Sequence, residues 1–218
     1  MKLMIVDDHP VVRQGIANLL RSMMPGLTVA EVATGQEAVA EYARWHPDVV
    51  LLDMGLPDIS GLEVGRRLRQ RWRGAALLFF TMHDELPMVR QALAVGGLGF
   101  VSKSCAPEAL AEAVRRVAAG QPYIEHPIAT RLAMNRERPL DHRLRDLTQR
   151  ELEVLLMYAR GDSIQTIAGR LCVSGKTVSN HLAMLKGKLQ VASSVALVHL
   201  AVDAGLVRYG QRAPERRA

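Results

Sequence analysis

The stretches LMIVDD (residues 3–8) and VVLLD (49–53) decide the fold. Each is a short run of apolar side chains that stops on a carboxylate; a third run, LLFFT (77–81), stops on a hydroxyl. Uninterrupted apolar runs of this length suit parallel strands buried on both faces, and the ligand crevice of such sheets opens at the carboxyl ends of the strands. Side by side, these strands bring Asp7, Asp8, Asp53 and Thr81 to one edge of one sheet. Carboxylates about 4 Å apart, at an effective dielectric near 20, repel by roughly 4 kcal/mol per pair. Such a cluster calls for a divalent cation, and its hard oxygen donors favour Mg2+.

Outward from these runs, strand-like and helix-like segments alternate through residue 119. Strands are expected near 2–7, 27–32, 48–53, 75–81 and 98–102, and apolar residues at helical spacing fall in 10–24, 35–44, 60–72, 84–95 and 106–119. Five βα units with short joins predict an α/β domain, a doubly wound (βα)5 parallel sheet, over residues 1–120. Residues 121–146 carry three prolines and mixed charges and read as a linker, with a short helix near 128–135. From Thr148 the period is helical throughout. Thr148 and Glu151 have capping-box spacing, Gly161 ends that helix, Ser163 and Ser174 open two more, and Ser193 or Ser194 opens a fourth closed by Gly205. The expectation is a small all-α four-helix domain over 147–210, followed by a disordered tail, 211–218.

Composition narrows the function classes. The chain has 218 residues, 49% of them hydrophobic, yet no apolar run nears the roughly 18 residues that would span a membrane. Nothing near Met1 resembles a secretory signal, so a cytoplasmic protein without a membrane partner is expected. Cys105 and Cys172 are isolated, without the spacing of a zinc site or a disulfide framework. Charge is uneven: residues 1–140 hold 16 Lys/Arg against 15 Asp/Glu, whereas 141–218 hold 12 against 7. A polyanion would bind the second part.

A strand-end aspartate beside a cation and a lysine can act as a nucleophile toward phosphorus, the metal neutralising the incoming charge. Thr81 ends the fourth strand and Lys103 the fifth, so a hydroxyl and an ammonium are available to the new phosphoryl oxygens. In the second part, Val178, Leu182, Leu185 and Leu189 form the buried stripe of the third helix, joined to the second by a connection of helix-turn-helix length. Its other face carries Lys176, Thr177, Ser179, Asn180, Ala183, Lys186 and Lys188. Small polar side chains among lysines suit the major groove of double-stranded DNA.

Asp7-Asp8, LLDMGLPDISG (51–61), Thr81 and Phe100-Val101-Ser102-Lys103 resemble the receiver domain of two-component response regulators, which has a flavodoxin-like fold. Residues 147–191 are similar to the LuxR-type DNA-binding domain in the Thr-x-x-Glu opening, the Gly161 break, IAxxL, VSxxTV, His181 and KLxV. Together they resemble the NarL/FixJ family. The resemblance implies that Asp53 accepts phosphate from a histidine kinase. It also implies that Asp8, Asp53 and the Gly55 carbonyl hold Mg2+, with Asp7 acting through water, and that Phe100 turns inward when Thr81 moves. Two departures stand out: Met82 follows the switch threonine, where a small residue is usual, and Ser104 follows Lys103 in place of proline.

The expected mechanism is a phosphorylation-controlled transcription factor that forms homodimers on two half-sites about 34 Å apart, with RNA polymerase as a further candidate partner. Two alternatives use the same residues: a phosphorylation-independent regulator, and a metal-dependent phosphohydrolase with Asp53 as nucleophile. Against the second, Gly55 stands where a general-acid carboxylate would be needed, and the short loops leave no room for a substrate cap.

Overall fold

The centre of the sheet is set by the two runs that end on aspartate. In β1 (Lys2–Val6) every residue after Lys2 is buried, and in β3 (Val49–Leu52) all four are. Apart from Lys2 at the start of β1, neither strand has a polar side chain to offer solvent, so each must be covered on both faces and flanked on both edges. The computed structural model describes residues 1–82, 86–134, 144, 147–171, 173–204 and 206–207. The chain divides into two compact units, Met1–Asn135 and Arg136–Ala218.

In the first unit, β2 (Thr28–Val32), β4 (Leu77–Thr81), β5 (Gly99–Ser102) and β6 (Tyr123–Ile124) complete an all-parallel sheet of order β2-β1-β3-β4-β5-β6. The helices α1 (Pro10–Met23), α2 (Gly35–Trp45), α3 (Gly61–Arg71), α4 (Leu86–Ala94) and α5 (Pro107–Ala118) are the crossovers. Ile16 and Leu20 of α1 and Leu110, Val114 and Val117 of α5 share one core with Leu3, Ile5, Leu51, Leu78 and Val101 of the sheet. Phe79, on the alternate side of β4, meets Gly65 of α3 instead. The register pairs Val6 with Leu52, Leu52 with Phe79 and Thr81 with Ser102. The residues that follow each strand therefore emerge at the same edge.

Strands and crossover helices lie within about two residues of their expected bounds. The difference is at 121–134. These residues give β6 and then α6 (His126–Met134), both part of the first unit; α6 is the short helix expected near 128–135, whereas β6 was not expected, and the sheet has six strands where five were expected. A strand of two residues between Pro122 and Pro127 is too short to leave a periodicity; only the free edge of β5 dictates it. The rest of the expected linker, 135–143 and 145–146, lies outside the described residues.

The second unit contains α7 (Gln149–Ala159), α8 (Ile164–Arg170), α9 (Gly175–Lys188) and α10 (Ser194–Asp203). Leu152, Leu155, Ile167, Val178, Leu182, Leu185, Leu197 and Leu200 are among its buried apolar residues along these helices. The side chains of Thr148, Ser163, Ser174 and Ser193 each accept a main-chain N–H of the first turn they precede, so Ser193 rather than Ser194 opens α10. Gly161 follows α7 with φ +91°, a conformation glycine takes without cost. Cys172, Gly205 and the tail 211–218 lie outside the described residues.

Candidate functional site

Ladder hydrogen bonds fix the backbone of the polar edge. The Asp7 N–H donates to the Val32 carbonyl (3.1 Å), the Asp53 N–H to Val6 (2.9 Å) and the Lys103 N–H to Thr81 (2.8 Å). Three neighbouring strand pairs thus place the side chains that follow them. Lys103 Nζ lies 2.6 Å from Asp7 Oδ2 and 3.0 Å from Asp53 Oδ2, and all three side chains are largely buried. Asp53 Oδ1 accepts the Met54 N–H at 2.9 Å. Thr81 is buried beside them, and Phe100, paired in register with Phe79 and Ile124, is fully buried in β5.

The electrostatics follow from this burial. Loss of solvent pushes the Asp53 carboxyl above its ordinary value; Lys103 opposes that shift and Asp7 adds to it. Burial works against the Lys103 ammonium, but Asp53 and Asp7 more than offset it and hold its pKa above the ordinary value. One cation between two carboxylates leaves the pocket acidic. Asp8 is partly exposed at its mouth, and ligand atoms of Asp7, Asp8, His9 and Asp53 lie within 4.8 Å of one another. Oxygen predominates in that donor set, as Mg2+ requires.

Several residues beyond the sequence expectations hold this edge. His9 Nδ1 sits 2.7 Å from Asp8 Oδ1 and 3.2 Å from Asp7 Oδ1, and its main-chain N–H donates to Asp7 Oδ1 at 2.8 Å. The contiguous Asp-Asp-His of residues 7–9 was a signal that could have found it. Arg13 Nη1, one turn into α1, donates to the Asp7 carbonyl at 2.6 Å. Asp58 accepts the Gly35 and Gln36 N–H groups, both at 2.8 Å, tying the loop after Asp53 to the start of α2. Burial would raise the Asp58 carboxyl, but these donors bring it below its ordinary value. Gly61 closes that loop: its N–H donates to the Met54 carbonyl at 3.0 Å, and a methyl group on it would run into the Asp53 carbonyl oxygen.

In the second unit the inward stripe of α9 is as expected, with Val178, Leu182, Leu185 and Leu189 buried. Lys176, Ser179, Asn180 and Ala183 are exposed, whereas Thr177 and Lys186 are half-buried. Met184, outside the expected set, is also exposed on this helix. Thr177 Oγ1 lies 2.8 Å from Ser174 Oγ, and the Ser179 hydroxyl donates to the Gly175 carbonyl at 3.0 Å. Lys188 differs from the others. Its Nζ is 2.8 Å from the buried Glu151 carboxylate, which also accepts the Thr148 N–H at 2.8 Å to complete the capping box. Burial alone would raise Glu151, but Lys188 and Thr148 bring it below its ordinary value. Arg150 Nη2 donates to the Leu171 carbonyl at 2.6 Å and so anchors the end of α8 where the chain turns toward α9.

The profile of the response regulator receiver domain matches residues 3–115, and that of bacterial regulatory proteins of the luxR family matches 145–201. The chain belongs to the NarL/FixJ response regulators. It is 51% identical over 211 residues to the transcriptional activator protein ExaE of Pseudomonas putida, spanning 95% of this chain and 99% of that one. To the transcriptional regulatory protein UhpA of Salmonella typhimurium it is 40% identical over 200 residues, spanning 91% and 96%. A crystal structure of a LuxR-family two-component response regulator from an Aurantimonas species superposes with a TM-score of 0.60 at 37% identity, covering 62% of this chain and 96% of that chain. This response regulator thus joins a receiver to a LuxR-type DNA-binding domain. Its family is one of transcriptional regulators rather than classical enzymes. Among its described residues no helix is long and apolar enough to cross a membrane.

Proposed function

We propose that Asp53 is the phosphoacceptor of this response regulator and that a histidine kinase is the donor. An Asp53 carboxylate oxygen forms a bond to phosphorus as the bond from phosphorus to the donor imidazole breaks, and the imidazole leaves. The observation that carries the reading is Lys103 Nζ, within 3.0 Å of both Asp53 and Asp7 at the carboxyl edge of the sheet. There it offers a charged donor to an oxygen of the transferred group. Asp8, Asp53 and the Gly55 carbonyl would hold Mg2+, with Asp7 acting through water, and the bound ion neutralises charge on the incoming phosphoryl group. Thr81 provides a hydroxyl to the phosphoryl oxygens; its movement, with Phe100, carries the change away from the site.

The output is transcription from DNA gripped by α9. Lys176, Thr177, Ser179, Asn180, Ala183 and Lys186 form the reading face, and Lys188 serves it from its place beside Glu151. The chain is apportioned as a receiver, a connecting stretch that includes 135–146, and a DNA-binding domain over 147–210. Phosphorylated receivers pair, and the homodimer meets two half-sites and RNA polymerase.

The test compares wild type with Asp53→Asn on exposure to radiolabelled acetyl phosphate and Mg2+. Label on wild type and none on the variant is the expected result. Equal labelling of both eliminates Asp53 as acceptor.

A further inference from the structure

Residues 121–134 complete the sheet, and the contact that joins them to the site is made by a side chain. On the free edge of β5, the Tyr123 N–H donates to the Leu98 carbonyl and the Glu125 N–H to the Phe100 carbonyl, each at 3.1 Å. The next rung of a parallel ladder would pair the Ser102 N–H with the Glu125 carbonyl. That carbonyl is already committed, accepting from Ile128 and Ala129 at 2.9 Å each to open α6. The Glu125 carboxylate takes its place, accepting the Ser102 N–H at 2.9 Å.

Ser102 immediately precedes Lys103. The end of β5 is therefore clamped from both sides: by Thr81, whose carbonyl accepts the Lys103 N–H at 2.8 Å, and by Glu125. Beyond it the chain turns tightly, with Ser102 Oγ and Ser104 Oγ 2.7 Å apart and the Ser104 N–H donating to Ser102 Oγ at 3.2 Å. Lys103 projects from this clamped turn to Asp7 and Asp53. On the other side of the clamp, Glu125 opens α6, whose Ile128 is buried and which is the last element before the chain passes to the second unit.

We propose that Glu125 is a positioning residue for Lys103, and that its carboxylate ties the start of α6 to the turn that contacts the phosphoacceptor. The inference rests on Asp53 being that phosphoacceptor. Movement of Lys103 toward a phosphoryl group then loads the Ser102 N–H bond and reaches residues 121–134 directly, without a route through α4 or α5.

The experiment uses the full chain as wild type, Glu125→Ala, Glu125→Asp and Glu125→Gln. Each is exposed to radiolabelled acetyl phosphate with Mg2+, and hydrogen–deuterium exchange is followed in peptides covering 121–134 before and after labelling. Glutamine keeps an acceptor at the same reach, whereas aspartate keeps the charge but is one methylene short. The expected result is labelling about fivefold slower in Glu125→Ala and Glu125→Asp, and within about twofold of wild type in Glu125→Gln. Labelling should also change exchange in 121–134 in wild type and Glu125→Gln only. An aspartate variant that matches wild type in both readouts overturns the proposal, as does a glutamine variant as impaired as alanine. Because Glu125→Asp and Glu125→Gln retain a side chain close to the native size, collapse of the alanine variant alone does not rescue it. Absence of label on wild type overturns the phosphoacceptor reading itself, whereas normal labelling with an unaltered exchange response in Glu125→Asp overturns the role of Glu125 alone.

Discussion

The carboxyl edge of the receiver sheet and the outer face of α9 treat their polar groups in opposite ways. At the sheet edge Asp7, Asp53 and Lys103 are buried and compensate one another over 2.6–3.0 Å, so each depends on the others and on the backbone that aims it. On α9, Lys176, Asn180 and Ala183 stand exposed, and the fold asks little of them. Buried polar groups that lose a partner cost far more than exposed ones. Substitutions should therefore couple stability to chemistry at the first site and separate the two at the second.

The largest expected break of that contrast is Gly61→Ala. The added methyl would meet the Asp53 carbonyl oxygen and the Met54 backbone, which cannot move without shifting Asp53. A loss of about 3 kcal/mol of stability, from forcing an atom into a packed site, should accompany loss of labelling by acetyl phosphate. Denaturant melts and the labelling assay check the two together. Normal labelling in a destabilised variant would mean that the loop tolerates displacement.

Lys188 and Lys176 sharpen the comparison within one helix. Lys188→Ala removes a charged hydrogen bond to Glu151, and because the lysine side chain is 39% exposed the cost should be about 1–2 kcal/mol. Lys176→Ala should leave stability unchanged but reduce the salt dependence of binding to a mixed-sequence duplex by about 0.9 in log–log slope. If Lys188→Ala reduces the slope and Lys176→Ala does not, the reading face is turned from where it is drawn. The same pair predicts a pH effect. Because Glu151 is held below its ordinary value of 4.5, its stabilising contribution is complete above that pH and declines as pH falls through the lower folded value. Thermal melts from pH 7 to pH 3 should show this decline in the wild type and a shallower one in Lys188→Ala.

What the sequence disclosed follows the same division. Parallel topology forces strand ends to one edge, so Asp7, Asp8, Asp53, Thr81 and Lys103 could be grouped from the positions of apolar runs alone. Of the residues that steady them, Asp58 and Glu125 were hidden because their partners are distant in sequence. Asp58 reaches back 22 and 23 residues to Gln36 and Gly35, and Glu125 reaches back 23 to Ser102. Helical periodicity found the buried stripe of α9, Val178, Leu182, Leu185 and Leu189, although Thr177 and Lys186 of the outer face are half-buried. It could not tell that Lys188, at the margin of the outer face, answers a glutamate 37 residues earlier. β6 left no trace because two residues have no period.

The smallest expected effect is the most discriminating for the outer face. Gly187 lies in the last turn of α9, exposed, and among the described residues nothing lies within 4 Å of where a methyl group would sit. Among the described residues no turn, tight contact or positive φ calls for glycine there. Glycine in a helix costs up to about 1 kcal/mol against alanine, so Gly187→Ala should raise the melting temperature of the second unit slightly. If the face that carries Asn180 and Ala183 meets DNA, a glycine one turn beyond Ala183 that the fold would gain by replacing allows a close approach from outside: a phosphate or sugar lying against bare backbone. On that account Gly187→Ala stabilises the protein and weakens its grip on duplex DNA. A variant that is more stable and binds duplex as tightly as wild type would leave the glycine without a role in DNA contact and move the reading face toward the Lys176 end of the helix.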